Sequence, residues 1–370
     1  RWPMMLLLLA CTPKPPPRPI PALPPVVEEA PPPPVTIPDP PPGWRSGFTT
    51  ATALPQRVAE AWGFTLRGPV TEPIAGDSRQ AFAVADGRLV AFSADGKRGW
   101  EARIDATGGP VLLESTVIAG GGDGRVHWVD RATGRDTTVT EKGGAVVGPV
   151  VPVDGGFAWL GATGTVTTTA NWSLATNLPP AGRPAADGNT VYFASTSGQL
   201  NAVTPTGIAW SFTLPAAPVD GPALDAERAY VSYAPHDGEP GGVVAVWRTG
   251  ASAGQEAWRF ATGFGPEAAP AVYGAVYVPD KDGNLYAVDP ATGDQRWAFE
   301  GYGAFATQPV VTKKALYVGN GDGHLYAIDT FDGGLDWKVD LGAPVTAEPV
   351  IVGEGVVVGL ANGRVVGLVP

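Results

Sequence analysis

Residues 282–297 read DGNLYAVDPATGDQRW, and residues 322–337 read DGHLYAIDTFDGGLDW. Each copy opens on an Asp-Gly dipeptide, which favours a tight turn between two strands. The run that follows is apolar on neighbouring positions, whereas a half-exposed strand would alternate apolar and polar residues. We therefore expect these strands to be covered on both faces. The copies lie 40 positions apart, which indicates one short structural unit that repeats.

The unit recurs along most of the chain in three markers. A Gly heads a short strand pattern at Gly87, Gly124, Gly164, Gly198, Gly241, Gly283, Gly323 and Gly363. In phase with it, a Pro precedes apolar residues at Pro73, Pro110, Pro149, Pro184, Pro222, Pro270, Pro309 and Pro349. The third marker is a Trp, at Trp62, Trp100, Trp172, Trp210, Trp258, Trp297 and Trp337. In the second repeat Thr138 stands where the Trp would fall.

Four short strands in about 40 residues are typical of a propeller blade. In the clearest copy we expect strands over 308–312, 316–319, 323–329 and 335–339. The chain is thus predicted to be an all-β, eight-bladed β-propeller with four-stranded blades, in which the recurring Trp side chains pack between neighbouring blades. Trp62 lies in a strand pattern with no blade ahead of it, and the last repeat lacks a Trp strand. Residues 58–66 are therefore expected to close the ring as the fourth strand of the last blade, which leaves no open sheet edge.

Composition excludes several classes of protein. Gly and Pro total 90 of 370 residues, too many for a helix bundle. The net charge of -11, without a basic block, argues against a nucleic-acid partner. A single Cys and three scattered His leave no basis for internal disulfides, Cys-rich zinc sites or a His cluster. No apolar run reaches the ~18 residues that a membrane-spanning helix needs.

The N-terminal region has its own signals. A short apolar run, Met4–Ala10, leads into Leu8-Leu9-Ala10-Cys11, which resembles the bacterial lipobox, so we expect lipid on Cys11 after cleavage. Because the chain opens on Arg1, we expect the native start to lie elsewhere. Residues 12–42 contain 16 Pro in 31 positions, which is incompatible with helix or sheet and favours polyproline II. The expected organisation is a signal remnant with lipobox (1–11), a Pro-rich disordered tether (12–56) and the propeller (57–370).

The segment AVDPATGDQRW, residues 287–297, matches the tryptophan-docking motif A-x-D-x-x-T-G-x-x-x-W of quinoprotein-like (PQQ-type) repeats. Residues 327–337 match it with Asp332 in place of the Thr. Eight such blades behind a lipobox resemble the BamB family of outer-membrane assembly lipoproteins. That resemblance implies a non-catalytic scaffold with no cofactor, anchored to the bacterial outer membrane through Cys11, with the propeller in the periplasm or, as the alternative, exposed at the cell surface. The implied partner is the outer-membrane barrel-assembly protein, bound by a monomeric propeller without nucleic acid.

Two alternatives differ in function. Quinone-cofactor dehydrogenases share the blade motif, but they are much longer, and the pair of adjacent Cys that many of them carry is absent here. An unrelated binding propeller that shares only the repeat is the other alternative. The WD-repeat signature does not occur in phase.

The remaining motifs are better explained as parts of the blades than as nucleotide-binding or calcium-binding sites. The strings GFGPEA (263–268) and GYGAFA (301–306) fit G-x-G-x-x-A, but they lead into strands, so we interpret them as turns between blades. Asp280-x-Asp282-Gly283 and Asn320-x-Asp322-Gly323 lack the further oxygen ligands of a calcium loop and are interpreted as hairpins. We find no catalytic constellation and no metal-ligand cluster.

One set of side chains is a candidate for partner binding. Phe264, Tyr302 and Phe305 fall on equivalent loops of neighbouring blades, so they are predicted to form a contact patch on one face of the ring; the alternative is that these rings serve only local packing. The residues 233–241, YAPHDGEPG, are an insertion that we expect to protrude.

Overall fold

The computed structural model describes residues 49, 51, 53–54, 58–140 and 144–370. In this part of the chain there are eight four-stranded antiparallel sheets and no helix. The predicted eight-bladed β-propeller is therefore confirmed, and the sheets are numbered here as blades 1 to 8.

In every blade except blade 3 a short inner strand is followed by longer strands toward the outer edge, whereas in blade 3 the inner strand has eight residues and the outer strand three. Blades 1 and 2 consist of β2 (Ala75–Gly76), β3 (Gln80–Ala85), β4 (Arg88–Ser93), β5 (Arg98–Arg103), then β6 (Val111–Leu112), β7 (Thr116–Gly120), β8 (Arg125–Asp130) and β9 (Asp136–Thr140). Blades 3 and 4 consist of β10 (Val146–Val153), β11 (Gly156–Gly161), β12 (Thr165–Thr168), β13 (Ser173–Ala175), then β14 (Ala185–Asp187), β15 (Thr190–Ala194), β16 (Gln199–Thr204) and β17 (Gly207–Thr213).

The second half repeats this order. Blades 5 and 6 consist of β18 (Ala223–Leu224), β19 (Arg228–Tyr233), β20 (Gly242–Trp247), β21 (Glu256–Ala261), then β22 (Ala271–Val272), β23 (Val276–Pro279), β24 (Asn284–Val288) and β25 (Gln295–Glu300). Blade 7 consists of β26 (Val310–Val311), β27 (Ala315–Gly319), β28 (His324–Asp329) and β29 (Leu335–Asp340), and blade 8 of β30 (Val350–Val352), β31 (Gly355–Gly359), β32 (Arg364–Val369) and β1 (Ala59–Thr65).

The ring closes through its first strand, as the sequence predicted. β1 pairs antiparallel with β32, from Ala59 opposite Val369 to Thr65 opposite Arg364. The described residues ahead of it also contact the propeller: the amide of Thr49 donates to the carbonyl oxygen of Val311 (2.9 Å), and that of Leu54 to the Tyr317 hydroxyl (2.7 Å). Contacts with the blades therefore begin ahead of residue 57, where we expected the propeller to start.

The core lies between the blades. In β28, Leu325 and Ala327 pack against blade 8, whereas Tyr326 and Ile328 pack against blade 6. Both sides of one strand are thus apolar because each side faces a different neighbouring sheet. Fully burying a large apolar side chain in this way stabilises the fold by roughly 1.5–3 kcal/mol.

The recurring Trp side chains lie at these interfaces. Trp297, for example, donates its indole N–H to the carbonyl oxygen of Thr330 in the next blade (3.3 Å). A Cβ on Gly333, whose φ is +76°, would lie 2.7 Å from the same indole ring, so the turn there requires a Gly. The indoles of Trp62, Trp100 and Trp258 likewise donate to carbonyl oxygens of the following blade, those of Ala94, Arg131 and Pro290. Trp172, Trp210 and Trp337 also pack in clusters that join neighbouring blades.

Blade 2 departs from the pattern in a way that the motif spacing did not reveal. In blades 6 and 7 a bulge beside Ala287 and Ala327 places Trp297 and Trp337 opposite those small residues. The pairing of β8 with β9 shows no such bulge, so Thr137 lies opposite Trp128, and Thr138 lies opposite His127. Trp128 itself packs edge-on against Phe157 of blade 3, with ring centroids 5.5 Å apart. At this interface blade 2 thus contributes an indole from its third strand, and blade 3 adds that of Trp159 to the same cluster.

Candidate functional site

One end of the ring carries the aromatic residues that the sequence singled out. Two kinds of loop meet at this end, which we call the upper face: the hairpins between second and third strands, and the connections from one blade to the next. Phe264 and Tyr302 lie on successive blade-to-blade connections and are 70% and 85% exposed. Phe305 is fully buried, with its ring centroid 5.4 Å from that of Tyr326. The prediction of a three-residue patch is therefore wrong for Phe305, which belongs to the core between blades 6 and 7.

The backbone of the turn that carries Phe264 donates a hydrogen bond to a buried carboxylate. Gly265, with φ of +95°, donates its amide to Oδ2 of Asp280 (3.1 Å) and accepts from the amide of Lys281 (3.2 Å). Asp280 is fully buried, and this burial raises the pKa of its carboxyl despite hydrogen bonds from Thr262 and from backbone amides. Phe264 is thus exposed on a turn whose backbone is fixed.

The backbone of the turn that carries Tyr302 is also hydrogen-bonded to a buried side chain, here the amide of an Asn. Asn320, also fully buried, donates Nδ2 to the carbonyl oxygen of Gly303 (2.6 Å) and accepts at Oδ1 from the amide of Asp322 (2.8 Å). A Cβ on Gly303 would lie 2.7 Å from Asn320 Oδ1, so the close approach requires a Gly. The ammonium of Lys338 lies 4.7 Å from the centroid of the Tyr302 ring, within the range of a cation–π interaction.

Asp280 and Asn320 are the site residues that sequence reasoning missed. Their signal was present in the D-x-D-G and N-x-D-G strings, which we assigned to hairpins. The pattern predicts the hairpin, but it does not show that the first side chain of the hairpin contacts the preceding blade-to-blade turn. Among the described residues, no group of three or more His, Cys, Asp or Glu side chains is arranged to hold a metal ion.

A charged cluster lies in the central channel, where the inner strands converge. Arg183 ion-pairs with Asp220 and with Glu348, and it donates its backbone amide to Asp220 Oδ1 (2.9 Å). Burial opposes the charge of Arg183, but the two carboxylates raise its pKa well above the ordinary value. Burial, with Glu348 and Asp220, raises the pKa of Glu72, although Arg183 acts in the opposite direction. The Arg183–Asp220 pair joins the neighbouring blades 4 and 5, whereas the Arg183–Glu348 pair joins blades 4 and 8, which are not neighbours in the ring.

The cluster separates two cavities in the channel. Arg183 and Glu348 line both a mainly apolar cavity of about 370 Å³, bordered by Ile74, Val111 and Val150, and a more polar one of about 350 Å³. The polar cavity also contains the carboxylates of Glu72 and Glu267. An anionic, carboxylate-bearing quinone would meet these acids and a guanidinium that is already paired twice. The channel residues therefore do not fit such a cofactor.

Comparison with known protein families finds a match for two segments of the chain. Residues 45–146 and 239–370, more than half of the chain, match the family described as outer membrane protein assembly factor BamB. A search of curated proteins finds no significant match. In the described residues, no helix is long and apolar enough to cross a lipid bilayer.

Solved structures with the same fold include a natural and a designed propeller. The crystal structure of BamB from Moraxella catarrhalis matches with a TM-score of 0.66 at 16% identity, covering 85% of this chain and 100% of that one. The computationally designed Ika8 protein matches with a TM-score of 0.71 at 17% identity, covering 84% and 99%. At these identities the likeness establishes the fold, and a designed protein that matches as well shows that the fold alone does not specify function.

Proposed function

We propose, from the premise that this chain belongs to the BamB family of outer membrane protein assembly factors, that it is a non-catalytic scaffold which binds another protein through its upper face. The proposed partner is the outer-membrane barrel-assembly protein, and the proposed location is the periplasmic side of the outer membrane.

The observation that carries the proposal is a pair of exposed aromatic side chains on turns whose backbone is hydrogen-bonded to a buried side chain, Asp280 or Asn320. Exposed rings are costly to keep in water, and rings on rigid turns lose little conformational freedom on binding. Phe264 and Tyr302 combine both properties on adjacent blades. Such residues are typical anchors of protein interfaces. The misfit between the channel and an anionic quinone supports a binding role over the dehydrogenase alternative.

Replacing both anchors should abolish partner binding and leave the fold intact. Interface anchors typically contribute at least ~2 kcal/mol each, so Phe264→Ala with Tyr302→Ala should weaken binding by roughly a thousandfold. The measurement is co-purification of the barrel-assembly protein with the tagged chain, beside the thermal midpoint of each variant. Because both side chains are exposed, the midpoint should stay close to that of the wild type.

Phe331→Ala is the matched control, because Phe331 is 92% exposed but lies on a turn at the opposite end of the ring. It should retain the partner. A double variant that still co-purifies with the partner, or a control that loses it equally, would contradict the assignment of the upper face.

The membrane attachment is a separate part of the proposal. Cys11 lies outside the described residues, and its lipidation rests on the lipobox-like string Leu8–Cys11. Expressed from its native start in a bacterium fed a labelled fatty acid, the chain should incorporate label and fractionate with the outer membrane. Cys11→Ala should lose both properties. Equal labelling of the two proteins would refute lipidation at this residue.

A further inference from the structure

The longest departure from the blade repeat lies beside Phe264. The hairpin between β19 and β20 is extended by residues 234–241, and at its tip His236 and Glu239 exchange backbone hydrogen bonds (3.2 and 2.9 Å). The base of this inserted hairpin packs against the Phe264 turn, since a Cβ on Gly265 would lie 2.6 Å from Pro235 Cδ. Between the two lies a cleft of about 520 Å³, which we call the hairpin cleft, lined by Pro235–Pro240, Gly263 and Phe264.

The hairpin cleft has an apolar side that is already in place. Phe264 and the rings of Pro235 and Pro240 line it. Pro rings lose no rotamer freedom on burial, and the Phe264 turn is bonded to the buried Asp280, so little ordering remains to be done when a ligand binds. The cleft is therefore suited to take one apolar side chain.

The rim of the cleft is acidic. Asp237 has 84% of its side chain exposed, and Glu239 is exposed beside it. The nearby basic side chain is Lys281 on the neighbouring hairpin, and the imidazole Nε2 of His236 lies 3.0 Å from Asp237 Oδ2. The balance is negative in a chain whose net charge is -11.

We propose that the hairpin cleft binds a segment of a protein partner in which an apolar side chain is flanked by Lys or Arg. The apolar side chain packs on Phe264 and the two Pro rings, and the basic residues face Asp237 and Glu239. Complementary charge of this kind speeds association and selects against acidic segments. The inference rests on the proposed function, because it names the chemistry that the upper face recognises in its partner.

The test uses a labelled peptide, Gly-Lys-Leu-Lys-Phe-Lys-Gly, titrated against the purified full chain by fluorescence anisotropy. Two comparison peptides carry Glu for each Lys, or Ala for Leu and Phe. We expect the first peptide to bind at least about tenfold more tightly than either comparison, and to weaken as salt screens the charges. Phe264→Ala, and separately Asp237→Lys with Glu239→Lys, should each weaken it at least about fivefold.

Glu114→Lys with Glu354→Lys is the matched control, since both are exposed acids on first-to-second-strand turns at the opposite end of the ring. It changes the net charge equally and should leave affinity unchanged. The proposal would be overturned if the Lys peptide did not bind, or if the control variant lost as much affinity as the Asp237→Lys, Glu239→Lys variant. Unchanged affinity in Phe264→Ala would overturn it as well. Self-association of the chain that the Phe264 change abolishes would assign the cleft to a second copy instead, which also overturns it. Co-purification of the barrel-assembly protein is measured separately, so the scaffold function can stand if this inference fails.

Discussion

Deleting residues 1–66 should destabilise the propeller far more than deleting residues 1–48. The longer deletion removes β1, including Trp62, whose ring lies 5.7 Å from that of Phe92 in blade 1, and Phe64, 5.2 Å from the same ring. Removing one buried aromatic side chain typically costs about 3–5 kcal/mol. The deletion also leaves β32 as an unpaired edge, so aggregation is expected beside the loss of stability.

Urea denaturation of the two truncated chains is the measurement. The shorter deletion removes only residues ahead of the described contacts and should leave the midpoint of the full chain unchanged. If the longer truncation does not fold, Trp62→Ala in the full chain provides the comparison, and because Trp62 is partly buried the expected loss is at most about 3–5 kcal/mol. Equal midpoints for both truncations, with a neutral Trp62→Ala, would contradict closure through β1.

Replacing Arg183 by Leu should cost nearly as much, although it removes no strand. The change leaves Asp220, Glu348 and Glu72 facing one another in the channel without their shared cation. Breaking a buried ion pair by removing one partner typically costs about 3–5 kcal/mol. The control is Lys97→Leu, since Lys97 pairs with Asp95 at the surface, where 82% and 59% of the two side chains are exposed, and such exposed pairs contribute little to stability.

The loss of folding stability caused by Arg183→Leu should also depend on pH. Burial raises the pKa of Glu72 against the opposing charge of Arg183, so removing the guanidinium raises the folded-state pKa of Glu72 further above its unfolded value. Such a group stabilises the fold below the unfolded pKa, and that contribution is lost as pH rises through the folded pKa. The difference from wild type should therefore shrink as pH falls from 7 toward about 4, near the ordinary carboxyl range. Urea midpoints measured across this range check it, and a small loss that is independent of pH would contradict the ion cluster.

The sequence allowed the blades and their closure to be predicted because both depend on period and composition. A strand that is apolar on both sides, such as 325–328, has to be covered by a sheet on each side. The strand that contains Trp62 belongs to no blade in its own part of the sequence, so it has to complete a blade elsewhere in the ring. These are consequences of burial that any local structure must satisfy. The strand bounds differed mainly at the inner strand of blade 7, predicted over 308–312 and observed as Val310–Val311.

The candidate site was predicted less fully, because loops are not constrained by the repeat. Tyr302 and Phe305 lie on the same connection, three positions apart, yet one is exposed and the other is buried. Which ring points inward depends on the Gly303 turn and its bond to Asn320, a contact between segments that no local pattern encodes. The Arg183 cluster joins residues that are far apart in sequence, so it too needed the folded ring.

The most direct test of the scaffold role is titration calorimetry of the purified propeller with the purified periplasmic part of the barrel-assembly protein from the same organism. The account predicts saturable binding by the wild-type chain and no measurable heat with the Phe264→Ala, Tyr302→Ala variant, whose melting temperature is unchanged. Absence of binding by the wild type, or equal affinity of the two proteins, would contradict it.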